Sequence, residues 1–126
     1  MNSTVPLMIL VARPHRSGTK DNPALIDANV RFMEDVAYEV WQRGHLPMLG
    51  EWLALPLVAQ AGSTRLGDEA FTRIFHPSSS LLLQKCDACL RVGGPSQGAD
   101  QMVGEAQRAG KLVFFSVDEL PTRAHN

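Results

Sequence analysis

Cysteine, aromatic residues and long apolar runs are all scarce in this sequence of 126 residues. The two cysteines, Cys86 and Cys89, form one CxxC pair. Without a second pair they cannot complete a zinc site. A redox or half-zinc role stays open beside burial as small hydrophobes, which the neighbouring apolar run favours. The apolar stretch from Pro6 to Ala12 is too short to span a bilayer or to act as a signal peptide, so we expect a cytoplasmic protein that contacts no membrane.

An excess of positive charge is also missing. The chain has 12 Lys and Arg against 13 Asp and Glu, with a formal net charge of −1. This balance provides no electrostatic footprint for nucleic acid. Hydrophobic residues make up 44% and charged residues 20%, as in ordinary globular proteins. The length fits one domain over residues 1–126.

Apolar runs typical of buried strands alternate with amphipathic helical segments. Strands are predicted at 6–12, 45–49, 87–92 and 111–116. Helices are predicted at 23–44, 51–61, 67–75 and 99–109, with a further one opened by Pro77. This alternation predicts an α/β fold, a single flavodoxin-like three-layer domain with a parallel sheet of about four to five strands and helices on both faces. Strands 6–12 and 87–92 are apolar throughout, so we expect them to be adjacent and central.

Two loops follow the carboxyl ends of those central strands, where ligands bind in such sheets. They span residues 13–22 and 93–98. The second, Gly-Gly-Pro-Ser-Gln-Gly, places backbone N–H groups and a hydroxyl at the start of a helix. This arrangement is an anion site in principle, although a plain steric turn has the same composition.

Several segments together resemble a known superfamily. They are Cys86-Asp87 with the strand that follows, Pro95 to Ala99, Ala109-Gly110-Lys111, the opening Ile9 to Pro14, and Gly44-His45. This pattern resembles the nucleoside 2-deoxyribosyltransferase superfamily, especially its deoxynucleoside 5′-monophosphate N-glycosidases and a related small domain family of unknown function. The resemblance spans residues 7–116, and only 86–111 is specific.

The resemblance implies cleavage of an N-glycosidic bond by a Glu nucleophile, with an Asp that assists proton transfer. In this sequence the Glu position is Met102 and the Asp position is Ser79. A thioether cannot form the glycosyl ester, and a hydroxyl cannot act as a carboxylic acid near neutral pH. Glu105 shares the helical face of Met102 about 4.5 Å further along the axis and is the candidate substitute. Its alternative interpretation is a solvated surface charge.

The resemblance also implies that the positions which contact phosphate in the family are occupied by suitable residues here. Ser96 stands where the monophosphate-preferring members have a serine, and Arg16 where they have a phosphate-contacting arginine. Arg13 replaces a glycine and either fills the sugar site or adds a second phosphate contact. Gln97 and Gly98 complete the predicted ligand site. A solvated loop residue is the alternative interpretation of Arg16.

Three hypotheses follow, in this order. The first is a domain that binds a small nucleotide or phosphate-bearing ligand without glycosidic cleavage. The second is a divergent N-glycosidase or deoxyribosyltransferase in which Glu105, or an acid from another subunit, supplies the nucleophile. The third is an oligomeric structural or interaction module whose loop binds nothing. We expect the chain to form a homo-oligomer. We expect no cofactor and no metal, because His15, His45 and His76 lack the spacing of metal ligands.

Overall fold

Four short parallel strands form one sheet in the order β2-β1-β3-β4. The structure is a computed structural model that describes residues 5–122. The strands are β1 (Met8–Ala12), β2 (Leu46–Met48), β3 (Ala88–Arg91) and β4 (Leu112–Phe114). The helices are α1 (Pro23–Gln42), α2 (Gly50–Gln60), α3 (Glu69–Lys85) and α4 (Gln97–Arg108), and a 3₁₀ turn (Val117–Glu119) follows β4.

The side chains of β1 alternate between two apolar clusters, one on each face of the sheet. Ile9 and Val11 pack with α1, whereas Leu10 and Ala12 pack with α3 and α4. Burial on both faces explains why this strand is apolar at every position. The prediction of a flavodoxin-like three-layer fold is confirmed, as is the placement of β1 and β3 as adjacent central strands.

The helix starts follow the capping residues in the sequence. The Asn22 side chain accepts a hydrogen bond from the Ala24 N–H at 2.9 Å, ahead of Pro23 at the first helical position. Asp68 caps α3 by accepting from the Phe71 N–H at 2.9 Å. These caps satisfy donors that a helix start otherwise leaves unpaired.

The prediction of two helices on either side of His76 is wrong, because α3 continues through Pro77 to Lys85. A proline inside a helix removes one hydrogen bond and costs about 3 kcal/mol. Both halves of α3 are nevertheless anchored, since Phe71 is buried before the proline and Leu83 after it. Tertiary packing of the whole helix outweighs the local break.

The CxxC pair belongs to the apolar cluster formed with α3 and α4. Both thiols are free and buried. Burial raises the pKa of Cys86 to about 11 and that of Cys89 to about 12. Because the thiolate is the reactive form, these cysteines are packing residues near neutral pH.

Among residues 5–122, no helix has the length and hydropathy needed to cross a membrane.

Candidate ligand-binding site

A cavity of about 510 Å³ lies beyond the carboxyl end of β1. Its wall consists of the loop after β1, the starts of α2 and α4, and one face of α3. Seven residues named from the sequence lie on this wall: Arg13, Arg16, Ser79, Ser96, Gln97, Gly98 and Met102. The eighth, Glu105, is not on the wall. The topology therefore brings together the two predicted loops and the two positions, Ser79 and Met102, that the resemblance aligns with catalytic acids.

The start of α4 presents hydrogen-bond donors to the cavity. Ser96 is buried, and its Oγ accepts from the Ala99 N–H at 3.1 Å. Among the described residues no acceptor takes its hydroxyl proton, which is therefore available to a ligand. A Cβ built on Gly98 would meet nothing within 4 Å, so an incoming group can approach the backbone closely. A helix of this length carries partial positive charge at this end.

Arg91 holds the glycine-rich loop in place. Its side chain is only 10% exposed and pairs with Asp100 Oδ1 at 2.9 Å. It also donates to the carbonyl oxygens of Val92 at 2.5 Å and Gly94 at 2.7 Å. Sequence reasoning missed this residue, although a charged side chain at the end of an apolar strand is a signal that could have identified it.

Gly93 is required at its position for two reasons. Its φ of +85° favours glycine. A Cβ there would also lie 2.7 Å from Cγ of Arg13 and 2.8 Å from Cδ of Pro14. The loops after β1 and β3 thus touch at this glycine, and the guanidinium of Arg13 turns over the Phe32 ring, 4.9 Å from its centroid.

The loop after β1 is held in an unusual backbone conformation. Lys20 and Asp21 have φ values of 49° and 59°, which non-glycine residues rarely adopt. Such strain is typical of ligand-binding loops. The buried Thr19 hydroxyl supports the turn by donating to the Arg16 carbonyl at 2.6 Å and accepting from the Asp21 N–H at 3.1 Å.

Arg16 is held by its neighbours and is not freely solvated. Its guanidinium forms two hydrogen bonds to Asp21, at 3.0 and 3.1 Å. These bonds lower the pKa of Asp21. Arg16 also lies 5.5 Å from the centroid of the Phe71 ring. Both contacts fix the guanidinium at the cavity wall, and its contact with phosphate stays a prediction.

Neither of the two positions that the resemblance aligns with catalytic acids offers an ionisable group. The Ser79 hydroxyl donates to the Phe75 carbonyl at 3.1 Å. Met102 is buried in the apolar cluster with Leu10 and Cys89. Glu105 Oε2 forms a hydrogen bond with His76 Nε2 at 3.0 Å, and the glutamate side chain is 25% exposed. His76 lines the cavity and Glu105 does not, so the glutamate contacts the cavity wall through the histidine.

Glu51 is a buried acid on the cavity wall that the sequence analysis did not identify as a site residue. It lies in the first turn of α2 and is 8% exposed. Burial raises the pKa of its carboxyl to about 7, against a smaller lowering effect from its own backbone N–H. Its position directly after β2, at the same edge of the sheet as the other ligand loops, is the signal that could have identified it.

His15 forms the end of an aromatic stack along the cavity wall. Its ring lies 4.9 Å from Phe75, which lies 4.6 Å from Phe71. The residue is 7% exposed, and among the described residues neither ring nitrogen has a hydrogen-bond partner. Burial, with a smaller contribution from the charge of Arg16, lowers the pKa of His15 to about 4. The ring is therefore neutral at physiological pH.

A second, more open depression of about 880 Å³ lies beside α1. Its charged walls include both members of two ion pairs, Arg43 with Asp118 and Arg91 with Asp100. These four charges are paired with one another, and Glu39 is a further charge on the same wall. Within residues 5–122, no cluster of three or more His, Cys, Asp or Glu is placed to hold a metal ion.

In comparisons with known proteins, no family model and no curated protein sequence matches the chain.

Proposed function

We propose that this protein binds a nucleotide or a nucleotide-like phosphate ester and does not cleave its glycosidic bond. The observation that carries the proposal is the cavity at the end of β1, which joins the start of α4 to three cationic side chains. These are Arg13, Arg16 and Lys20. Backbone N–H groups at a helix start and guanidinium groups are the usual partners of phosphate. The resemblance to monophosphate-binding deoxyribosyltransferase relatives supports the same ligand class.

The side chains at the former catalytic positions support binding without cleavage. A nucleophile must reach the anomeric carbon and form a covalent bond, which the thioether of Met102 cannot do. An acid must hold a transferable proton, and Ser79 instead donates its hydroxyl to the helix backbone. The cavity keeps the groups that bind an anion and lacks those that would break the bond.

Isothermal titration with inorganic phosphate and the four 2′-deoxynucleoside 5′-monophosphates tests binding. Ser96→Ala removes the hydroxyl from the cavity and should weaken every phosphate-bearing probe by about tenfold, the value of one hydrogen bond to a charged group. The matched control is Ser116→Ala, because Ser116 Oγ caps the 3₁₀ turn by accepting from the Asp118 N–H and lies outside the lining of this cavity. Equal affinities in the two variants, or no binding by the native protein, would contradict the proposal.

A divergent N-glycosidase is the second candidate, favoured by the hydrogen bond between Glu105 and His76 at the cavity wall. Base release from 2′-deoxynucleosides and their 5′-monophosphates, followed by chromatography, distinguishes it. We expect no turnover by the native protein. Turnover that Glu105→Gln abolishes would establish the enzyme. Activity gained only in the Ser79→Asp, Met102→Glu double variant would show that the pocket kept its substrate geometry.

Homo-oligomerisation and a cytoplasmic location stay predictions of the sequence. Size-exclusion chromatography with light scattering measures the first. An oligomer with no affinity for any phosphate-bearing probe would favour the third hypothesis, a structural or interaction module.

A further inference from the structure

We infer that the β4 edge of the sheet is a self-association surface, where a second copy of this chain adds its own β4 in antiparallel orientation. The pairing joins the two four-stranded sheets into one continuous sheet. The inference is independent of the ligand cavity, because it concerns the outer edge of the sheet. It specifies the surface that carries the homo-oligomerisation expected from the sequence.

The two edge strands of the sheet, β2 and β4, differ in what they offer to a further strand. In β2, the Leu46 N–H donates to the Leu7 carbonyl at 2.9 Å, toward β1. Backbone groups alternate in direction along a strand, so the next residue, Pro47, faces outward. Proline has no N–H to donate, and natural sheets use it to protect an edge from pairing. The β2 edge is therefore blocked.

The β4 edge has no such block. The Leu112 N–H donates to the Asp87 carbonyl at 3.3 Å, toward β3. By the same alternation, Val113 directs its N–H and C=O away from β3, to a side where the described residues place no other strand. An edge with an unpaired N–H and C=O is a template for another strand. The side chains of Leu112 and Phe115 are 52% and 57% exposed, so pairing here also covers apolar surface.

Charges at the two ends of β4 favour a second copy as the occupant. After the carboxyl end, Glu119 is exposed, and its Oε1 accepts from the Phe115 N–H at 3.0 Å. Before the amino end, the Lys111 ammonium donates to the Gln84 carbonyl at 2.9 Å. An ammonium has three donors, so this bond does not exhaust it. An antiparallel partner reverses the strand and brings each Glu119 to the partner's Lys111, which makes the edge complementary in charge to itself.

A register centred on Val113 also suits the side chains. In this antiparallel pair the two Val113 residues exchange N–H···O=C hydrogen bonds. Leu112 of each copy then lies opposite the partner's Phe114, on the face of the sheet where Phe114 packs against the core. Apolar cross-strand pairs of this kind stabilise a ladder. Both outer edges of the joined sheet are β2, which Pro47 blocks, so the association stops at the dimer.

Sedimentation velocity over a series of protein concentrations, at neutral pH and low salt, tests the inference. We expect the native chain to dimerise reversibly. Lys111→Glu and Glu119→Lys should each raise the dissociation constant by about tenfold or more, because both intermolecular ion pairs become repulsive. An equimolar mixture of the two variants should form a heterodimer with restored affinity, because each contact then joins opposite charges again.

The controls make the same changes of charge elsewhere. Arg31→Glu and Asp27→Lys lie at exposed positions of α1 and should leave the dimer unchanged. Val113→Pro removes the outward N–H, as Pro47 does in β2, and should abolish the dimer. Circular dichroism checks that each variant is folded.

The native chain supplies a readout that needs no substitution. Hydrogen exchange followed by NMR should show slower exchange of the Val113 amide in concentrated than in dilute protein, since the dimer pairs that N–H. A native chain that stays monomeric, or a Val113 amide that exchanges equally fast in the dimer, would overturn the inference. So would single charge variants that dimerise normally, a mixture of folded variants without restored affinity, or assembly beyond the dimer.

Discussion

Glu51→Gln should stabilise the folded protein, and only above a particular pH. The folded state holds the proton of Glu51 more tightly than the unfolded chain, because burial raises the pKa from 4.5 to about 7. Ionised Glu51 therefore destabilises the native state. The penalty is absent below pH 4.5, grows between pH 4.5 and about 7, and is constant above. Gln has nearly the same shape and never ionises, so it removes the penalty.

The size of the effect follows from the two pKa values. Each pKa unit corresponds to about 1.4 kcal/mol. The difference between 4.5 and about 7 makes the ionised carboxyl destabilising by about 3 kcal/mol at pH 8. Urea unfolding, followed by the fluorescence of Trp41 and Trp52, measures the free energy of unfolding from pH 4.5 to 8.5. We expect the two proteins to be about equally stable at pH 4.5 and the variant to be about 3 kcal/mol more stable at pH 8.

The difference between variant and wild type isolates Glu51 from the other titrating groups. Glu39→Gln is the matched control, because Glu39 is exposed on α1 and its substitution should change stability little at any pH. Parallel pH profiles for wild type and Glu51→Gln would refute the reasoning. So would a variant that is less stable at pH 8, since the carboxylate would then be stabilised by contacts that outweigh its burial.

Three further substitutions have definite expected outcomes. His15→Phe keeps the ring stack and removes a histidine whose pKa is lowered from 6.5 to about 4. As the pH falls from 6.5 to 4, the free energy of unfolding of the variant should rise relative to that of the wild type by up to about 3 kcal/mol, as measured by urea unfolding. His45→Phe should lower the free energy of unfolding by about 2–5 kcal/mol in the same assay at pH 7.5. The substitution removes the ring nitrogens that form hydrogen bonds with the Leu7 N–H and the Pro121 carbonyl. Arg91→Met should lower the free energy of unfolding by about 2–4 kcal/mol, because it removes the hydrogen bonds to the carbonyl oxygens of Val92 and Gly94. A decrease below about 1 kcal/mol would show that the loop keeps its conformation without Arg91.

The central part of the fold could be predicted because it depends on local pattern. The apolar runs that become β1 and β3 are buried on both faces, so every position carries the signal. The edge strands are shorter than predicted, at 46–48 instead of 45–49 and 112–114 instead of 111–116. An edge strand has one neighbour, and its ends are unpaired where that neighbour stops. The continuation of α3 through Pro77 depends on packing from elsewhere in the chain, which local propensity does not contain.

The same distinction applies to the site. Ser96 as a helix cap and Gly98 as an open backbone position are local features, and both are visible in the loop sequence. Glu51 is buried in the first turn of α2, next to Gly50, which packs closely on Ser79 of α3, so its burial accompanies a contact between residues distant in the sequence. The hydrogen bond that occupies Glu105 also joins separate helices, since its partner is His76. An alternation of polar and apolar residues does not encode such pairs.

The pKa shifts of Glu51 and His15 set the local charge of the cavity wall in a nearly neutral protein. Between about pH 4 and about 7 both side chains are neutral. The remaining charges on the wall are Arg13, Arg16 and Lys20 against Asp21, with His76 held by Glu105. The local charge is therefore positive, although the whole chain has a formal charge of −1. Screening limits electrostatic interactions to about 8 Å in physiological salt, so a small anion would respond to this wall, whereas a long polyanion would respond to the whole surface. The composition therefore argues against the second kind of ligand, and binding of the first stays a prediction that depends on the arrangement of a few side chains.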